Sequence, residues 1–208
     1  AYNRRFYYTI SKAKTFIDSN KDVSCRMELP ENVKYDSKNK YKPILLNSIH
    51  GIDLLFYLFG DIKLIKAIFI PNDKGRICIL ENNKGNKITL IMNWNSPSNF
   101  SINLDSNFKR LEVKPFEICS LYQGMEVLEP TNELPLRRYI PKKIDEFSSV
   151  PDKNINLKPG FFEQAKEIKG IVNGKNATIS ASLQDAYKCQ RLLNKILYDY
   201  NTTQADNK

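Results

Sequence analysis

The sequence is poor in the residues that usually announce a chemistry. It holds one histidine, one tryptophan and three methionines in 208 residues. Its four cysteines, Cys25, Cys78, Cys119 and Cys189, stand dozens of residues apart. No C-x-x-C pair exists, which argues against a zinc ribbon or a thioredoxin-type redox site. Cysteines scattered in this way behave as small buried hydrophobes of a reducing compartment, so a cytoplasmic protein is expected. Long apolar runs are missing as well. The most apolar stretch, residues 49–60, contains His50 and Asp53 and falls short of the roughly 18 residues that a membrane span requires. The first residues, Ala1-Tyr2-Asn3-Arg4-Arg5, carry no apolar segment of the kind a secretory signal needs.

What is present is enough for one globular domain: 41% hydrophobic and 26% charged residues. The formal charge of +9 points first to nucleic acid. Yet the lysines are spread through every polar segment, and spread charge reads as solvation rather than as a footprint. Phe6, Phe16, Phe56, Phe59, Phe161 and Phe162 fall on helical core faces, and no RNP-like strand or helix-turn-helix pattern accompanies them. Neither nucleic acid, nor a membrane, nor a metal is expected as a partner. The chain opens on Ala1 and runs straight into a patterned segment, as expected of a piece whose missing part lies on the N-terminal side. Residues 1–200 are expected to form a single domain, with 201–208 a disordered tail.

Hydrophobic periodicity orders the domain. Phe6, Ile10, Ala13, Phe16 and Ile17 make one face of a helix over residues 6–18. Residues 23–29 alternate as a half-buried strand, and 30–40 form a polar loop. Residues 43–59 are apolar almost all round, a buried helix stopped by Gly60, and in such a helix Asn47, His50 and Asp53 need a reason. From 62 to 124, six short alternating stretches separated by Asn/Gly turns predict an antiparallel meander. Residues 125–158, with four prolines, read as a long extended connection. Two helices close the chain: 161–172, stopped by Asn173-Gly174, and 183–200, opened by a Ser182-x-x-Asp185 capping box. Grouped strands with helices around them predict an α+β fold: an open, mostly antiparallel sheet of about six or more strands. Helices cover one face, and the other is solvated or paired with another subunit.

Three motifs are more specific. Tyr2-Asn3-Arg4-Arg5-Phe6 opens the chain, and His50-Gly51-Ile52-Asp53-Leu54 with Tyr57-Leu58-Phe59-Gly60 fills the buried helix. Pro159-Gly160-Phe161-Phe162-Glu163, followed by Ser182-Leu183-Gln184-Asp185-Ala186, closes it. In this order they resemble the C-terminal domain of the glucose–fructose oxidoreductase / inositol dehydrogenase (Gfo/Idh/MocA) family. The resemblance implies a C-terminal domain of the dihydrodipicolinate-reductase-like or glyceraldehyde-3-phosphate-dehydrogenase-like kind. It also implies an upstream Rossmann domain that binds NAD or NADP and supplies a catalytic lysine. This sequence has no G-x-G-x-x-G and no E-K-P motif, so no cofactor is expected on it and no activity from it alone.

By the same resemblance His50 handles the proton of a sugar or nucleotide-sugar hydroxyl, a task suited to an imidazole with an ordinary pKa of about 6.5. The family places an aspartate four residues before that histidine, and here the position is Leu46. Either lysine and histidine act alone or the chemistry has drifted, leaving a non-catalytic self-association module. Asn47 lies near the His50 face and can hydrogen-bond a substrate hydroxyl or His50 itself. Tyr2, Arg4 and Arg5 are expected at the domain junction and Arg137 in a loop near the sugar, while Asp53 is expected to hold the helix in place by accepting from an arginine.

Overall fold

In the computed structural model, which describes residues 2–34, 38–149 and 157–198, the first residues form a turn of 3-10 helix, Asn3–Phe6. The expected tail and Tyr200 lie outside the described residues. Helix α1 (Tyr8–Ser19) follows and buries Ile10, Ala13 and Phe16, the face read from the sequence. Strand β1 (Ser24–Glu28) leads through a loop to a π-helical turn, Ile44–Ser48, which runs into α2 (Ile49–Phe59). Then come β2 (Ile62–Ile70), β3 (Gly75–Asn82), β4 (Lys87–Asn93), β5 (Ser101–Ser106), β6 (Lys109–Val113), β7 (Ile118–Leu128) and β8 (Arg138–Ser148). Helices α3 (Phe161–Val172) and α4 (Leu183–Tyr198) complete the chain.

The eight strands form one sheet in the order β2-β3-β4-β1-β5-β6-β7-β8. The expected six-strand meander is therefore split. Strand β1 lies between β4, to which it is parallel, and β5, to which it is antiparallel. Periodicity shows that a strand exists but not where it sits, so this order was not legible. The long connection expected over 125–158 is also corrected. Strand β7 continues to Leu128, and β8 pairs with it from Ser148 opposite Ile118 to Arg138 opposite Leu128. Pro141 stands in β8 opposite Met125, next to a register irregularity, where an edge strand tolerates a residue with no N–H to donate.

Alternate residues of the central strands, among them Cys78, Leu80, Leu90, Met27 and Leu104, join Ile10, Ile52, Leu55 and Leu193 in one core. Helix α2 is the most deeply set of the helices. Ile52, Leu54, Leu55 and Leu58 are buried, each contributing about 1.5–3 kcal/mol gross. Gly51 faces Leu29, where a Cβ would stand 2.4 Å from a leucine methyl, so a larger residue would force the buried Leu29 side chain to move. Gly60 ends the helix at φ 76°, a left-handed backbone that glycine adopts at low cost. Arg76, wholly buried on β3, closes the end of α4 by donating to the carbonyls of Ile196 and Leu197, both at 3.1 Å. No helix among the described residues is long and apolar enough to cross a membrane.

Candidate functional site

The first turn of the chain, the loop after β1 and the start of α2 meet at one place. Arg5 and Asp53 form its base. The guanidinium donates to both carboxylate oxygens, Nε to Oδ2 at 2.9 Å and Nη2 to Oδ1 at 2.6 Å, with side chains only 6% and 1% exposed. The remaining Nη1 reaches the Ile179 carbonyl at 3.3 Å and Asp185 at 3.5 Å, so one arginine ties the chain start to α2 and to the opening of α4. Burial raises the Asp53 carboxyl above its usual range despite the two bonds from Arg5. Cys189 lies against the same carboxylate, 3.9 Å away, and burial followed by Asp53 pushes its thiol up to about 12.

Above this base sits a second, more open layer. Arg4 donates from Nη2 to Asn47 Oδ1 at 2.9 Å, and its guanidinium lies against the contacting pair of rings Phe100 and Phe116, 5.2 and 5.5 Å from their centroids. Asn47 passes the chain of bonds on, donating from Nδ2 to Glu31 Oε2 at 2.9 Å, and Ser48 donates to the same oxygen at 3.1 Å. Glu31 is held in place by its bridge to Trp94. Sequence reading missed it, because a carboxylate in an aperiodic loop has no marker; the only signal was the Asn47-Ser48 pair that needed an acceptor. Asn47, for its part, bonds Arg4 and Glu31, and its contact to His50 is one of helix neighbourhood alone.

His50 stands one turn above Asp53 on α2 and packs edge-on against Tyr2, with centroids 5.4 Å apart and planes at 82°. Burial, and after it the Arg4 charge, lower the imidazole to about 4, so at neutral pH the ring is uncharged. Burial, then Cys189 and Asp53, keep the Tyr2 phenol protonated well above its ordinary range. The buried Nδ1 of His50 has no hydrogen-bond partner, and neither has Nη1 of Arg4. Only four described side-chain atoms are buried in this state, and two of them share this site. Each such atom costs about 1–3 kcal/mol.

The π-helical turn lies just before His50. It is a form concentrated at functional sites, and it leaves Leu46 pointing out, 63% exposed. Six of the residues named from the sequence, Tyr2, Arg4, Arg5, Asn47, His50 and Asp53, thus converge. Arg137 does not join them: its Nε donates to Glu129 at 3.0 Å on the exposed connection between β7 and β8. Among the described residues no cluster of side chains is arranged to hold a metal ion.

Comparison with known proteins bears on this arrangement. No family model matches the chain, and no curated protein matches it. Solved structures do. One is a dehydrogenase (MviM) from Clostridium difficile, with a TM-score of 0.65 and 18% identity over 96% of this chain and 61% of that one. Another is levoglucosan dehydrogenase in complex with NADH and L-sorbose, with a TM-score of 0.66 and 13% identity over 96% of this chain and 62% of that one. This is a dehydrogenase-type α+β fold. At these identities the likeness is one of architecture, and the fold implied by the three sequence motifs is the one observed. A third is the super-repressor mutant of Gal80p from Saccharomyces cerevisiae, with a TM-score of 0.61 and 13% identity over 94% of this chain and 61% of that one. The chain spans 61–62% of the length of these three structures.

Proposed function

We propose that residues 1–200 are the substrate-binding and oligomerisation domain of an NAD(P)-dependent sugar or polyol dehydrogenase whose nucleotide-binding domain precedes them. The observation that carries this reading is the pairing of a neutral His50 with Arg4, each with a buried, unpartnered nitrogen, on a helix clamped by Arg5 and Asp53. A neutral imidazole accepts the proton of a substrate hydroxyl, while Arg4 and Asn47, already held in position, bind a neighbouring oxygen. The dinucleotide, when bound, supplies the hydride acceptor. This sequence offers no glycine-rich turn to cradle it, so that role falls to the upstream domain, together with the lysine that the family resemblance implies. The open face of the sheet, where Ile68 lies opposite Ile77 and Ile77 opposite Ile91, serves self-association.

The test is turnover by the longer protein on a panel of sugars, polyols and nucleotide sugars with NAD and NADP. Loss of turnover in His50→Ala, with oligomeric state and dinucleotide binding unchanged, supports the reading. Unchanged turnover in that variant sinks it. A second reading, a non-catalytic assembly module, draws on the outward-facing Leu46 and on the architecture shared with a repressor. Dinucleotide binding with no turnover on any member of the panel would favour it.

A further inference from the structure

Three side chains run in series through the upper layer of the site, and the polarity of the series is fixed at both ends. The guanidinium of Arg4 can only donate, and it donates to Asn47 Oδ1 at 2.9 Å. The Glu31 carboxylate can only accept, and it takes a proton of Asn47 Nδ2 at 2.9 Å. An amide is free to present either end to a neighbour. A donor on one side and an acceptor on the other leave Asn47 a single orientation, with its oxygen to Arg4. Without the acceptor, the amide is free to turn its Nδ2 towards Arg4, where two donors would meet and the bond would be lost.

Glu31 is itself braced from several sides. The oxygen that binds Asn47 also accepts from the hydroxyl of Ser48, a wholly buried residue, at 3.1 Å. Its other oxygen faces the Asn32 N–H at 3.3 Å. Its backbone carbonyl accepts from the Asn95 N–H at 2.8 Å, beside the bridge to Trp94. The loop after β1 is thus pinned to the end of β4, and it delivers an acid to the π-helical turn, where Leu46 points away. We infer that Glu31 is a positioning residue: it fixes the amide of Asn47 and, through that amide, holds the Arg4 guanidinium against the start of α2, one turn before His50. The inference rests on the reading of this site as the one that binds the sugar, and Glu31 acts in it through Arg4.

Two substitutions separate reach from charge. Glu31→Asp keeps the charge but is one methylene shorter, so its carboxylate no longer spans to Asn47. Glu31→Gln loses the charge but keeps the reach, with a carbonyl still open to Asn47 and Ser48. The His50 titration, followed by NMR in residues 1–208, reports where Arg4 stands, because the Arg4 charge helps to hold the imidazole down. Tyr2, the other ionisable group packed on that ring, keeps its proton throughout. Glu31→Asp should raise the proton affinity of His50 at least about threefold, and Glu31→Gln should not raise it. In an Arg4→Met background neither substitution should raise it. An unchanged His50 in Glu31→Asp, or a rise that survives in the Arg4→Met background, overturns the inference. In the longer protein, KM is measured for the sugar of the panel that is turned over best. Glu31→Asp should raise it at least about fivefold with kcat within about twofold, the signature of lost binding, and Glu31→Gln should stay near the parent. An unchanged KM in Glu31→Asp also overturns the positioning role, while His50→Ala still decides the dehydrogenase reading. If the parent turns over no sugar, that reading fails, and the His50 titration decides by itself whether Glu31 positions Arg4.

Discussion

Replacing Asp53 with asparagine keeps the shape of the side chain and removes its charge. Arg5, 6% exposed, then loses its buried counter-charge and one of its two short bonds, since an asparagine oxygen can accept only one of them; Asp185 at 3.5 Å and the Ile179 carbonyl at 3.3 Å remain. Breaking a buried ion pair from one side costs about 3–5 kcal/mol, because the surviving charge is left in a poor solvent. The residual contacts place this case near the lower end, about 3 kcal/mol. For a chain of this size that corresponds to a fall of roughly 6–12 °C in Tm, at about 2–4 °C per kcal/mol. Arg5→Met alone leaves a carboxylate 1% exposed, at similar cost. The double variant Arg5→Met/Asp53→Leu buries no charge, and it should lie within about 2 kcal/mol of the parent, well short of the sum of the singles. Urea unfolding followed by fluorescence of Trp94, the only tryptophan and a buried one, gives all four corners of the cycle. An asparagine variant within about 1 kcal/mol of the parent, or singles that simply add, would show that the pair is not the clamp described.

The single histidine makes two further outcomes easy to read. The His50 imidazole should titrate near 4 by NMR, and Arg4→Met should raise that value, since the Arg4 charge is among its causes. Because the folded value lies below the ordinary 6.5, the unfolded chain binds more protons between the two. Stability is therefore fully present above about 6.5 and lost as pH falls towards 4; a native imidazole titrating at 6.5 would contradict the burial described. Arg76→Lys should destabilise by about 3 kcal/mol or more and speed amide exchange in the last turn of α4. A single ammonium cannot serve Asp73, Ile196 and Leu197 together, and exchange unchanged in that turn would count against the capping role.

Much of the fold was legible because burial on one face leaves a period in the sequence. The buried faces of α1 and α2 and the alternation of β3 and β4 were all read directly. Strand β8 was missed for the converse reason. Exposed along nearly its whole length and carrying Pro141, it has neither a buried side to impose alternation nor the composition of a central strand. The apolar stripe of α3 was visible, but a period says nothing about direction, and its turning outward depends on Glu167 meeting the 178–180 backbone. In the site, Tyr2, Arg4, Arg5, Asn47, His50 and Asp53 lie on motifs visible in the sequence, whereas Glu31 and the π-helical turn depend on how a loop returns to a helix. Arg137 was placed by composition alone, and its loop went elsewhere.

The place of β1 has a consequence for how the chain assembles. Strands β2–β4 and β5–β8 are each joined by consecutive antiparallel pairings, so each half can form from contacts local in sequence. Among the described residues no ladder joins the two halves directly; both hydrogen-bond to β1. Closing the sheet requires β1, the earliest of the eight described strands in sequence, to bring Cys25 opposite Ile88 and Leu104 across long loops. Loop-closure entropy makes that step slow relative to the local hairpins. Until it happens the chain is two half-sheets with bare edges, and a chain lacking residues 1–28, and with them β1, would stay that way.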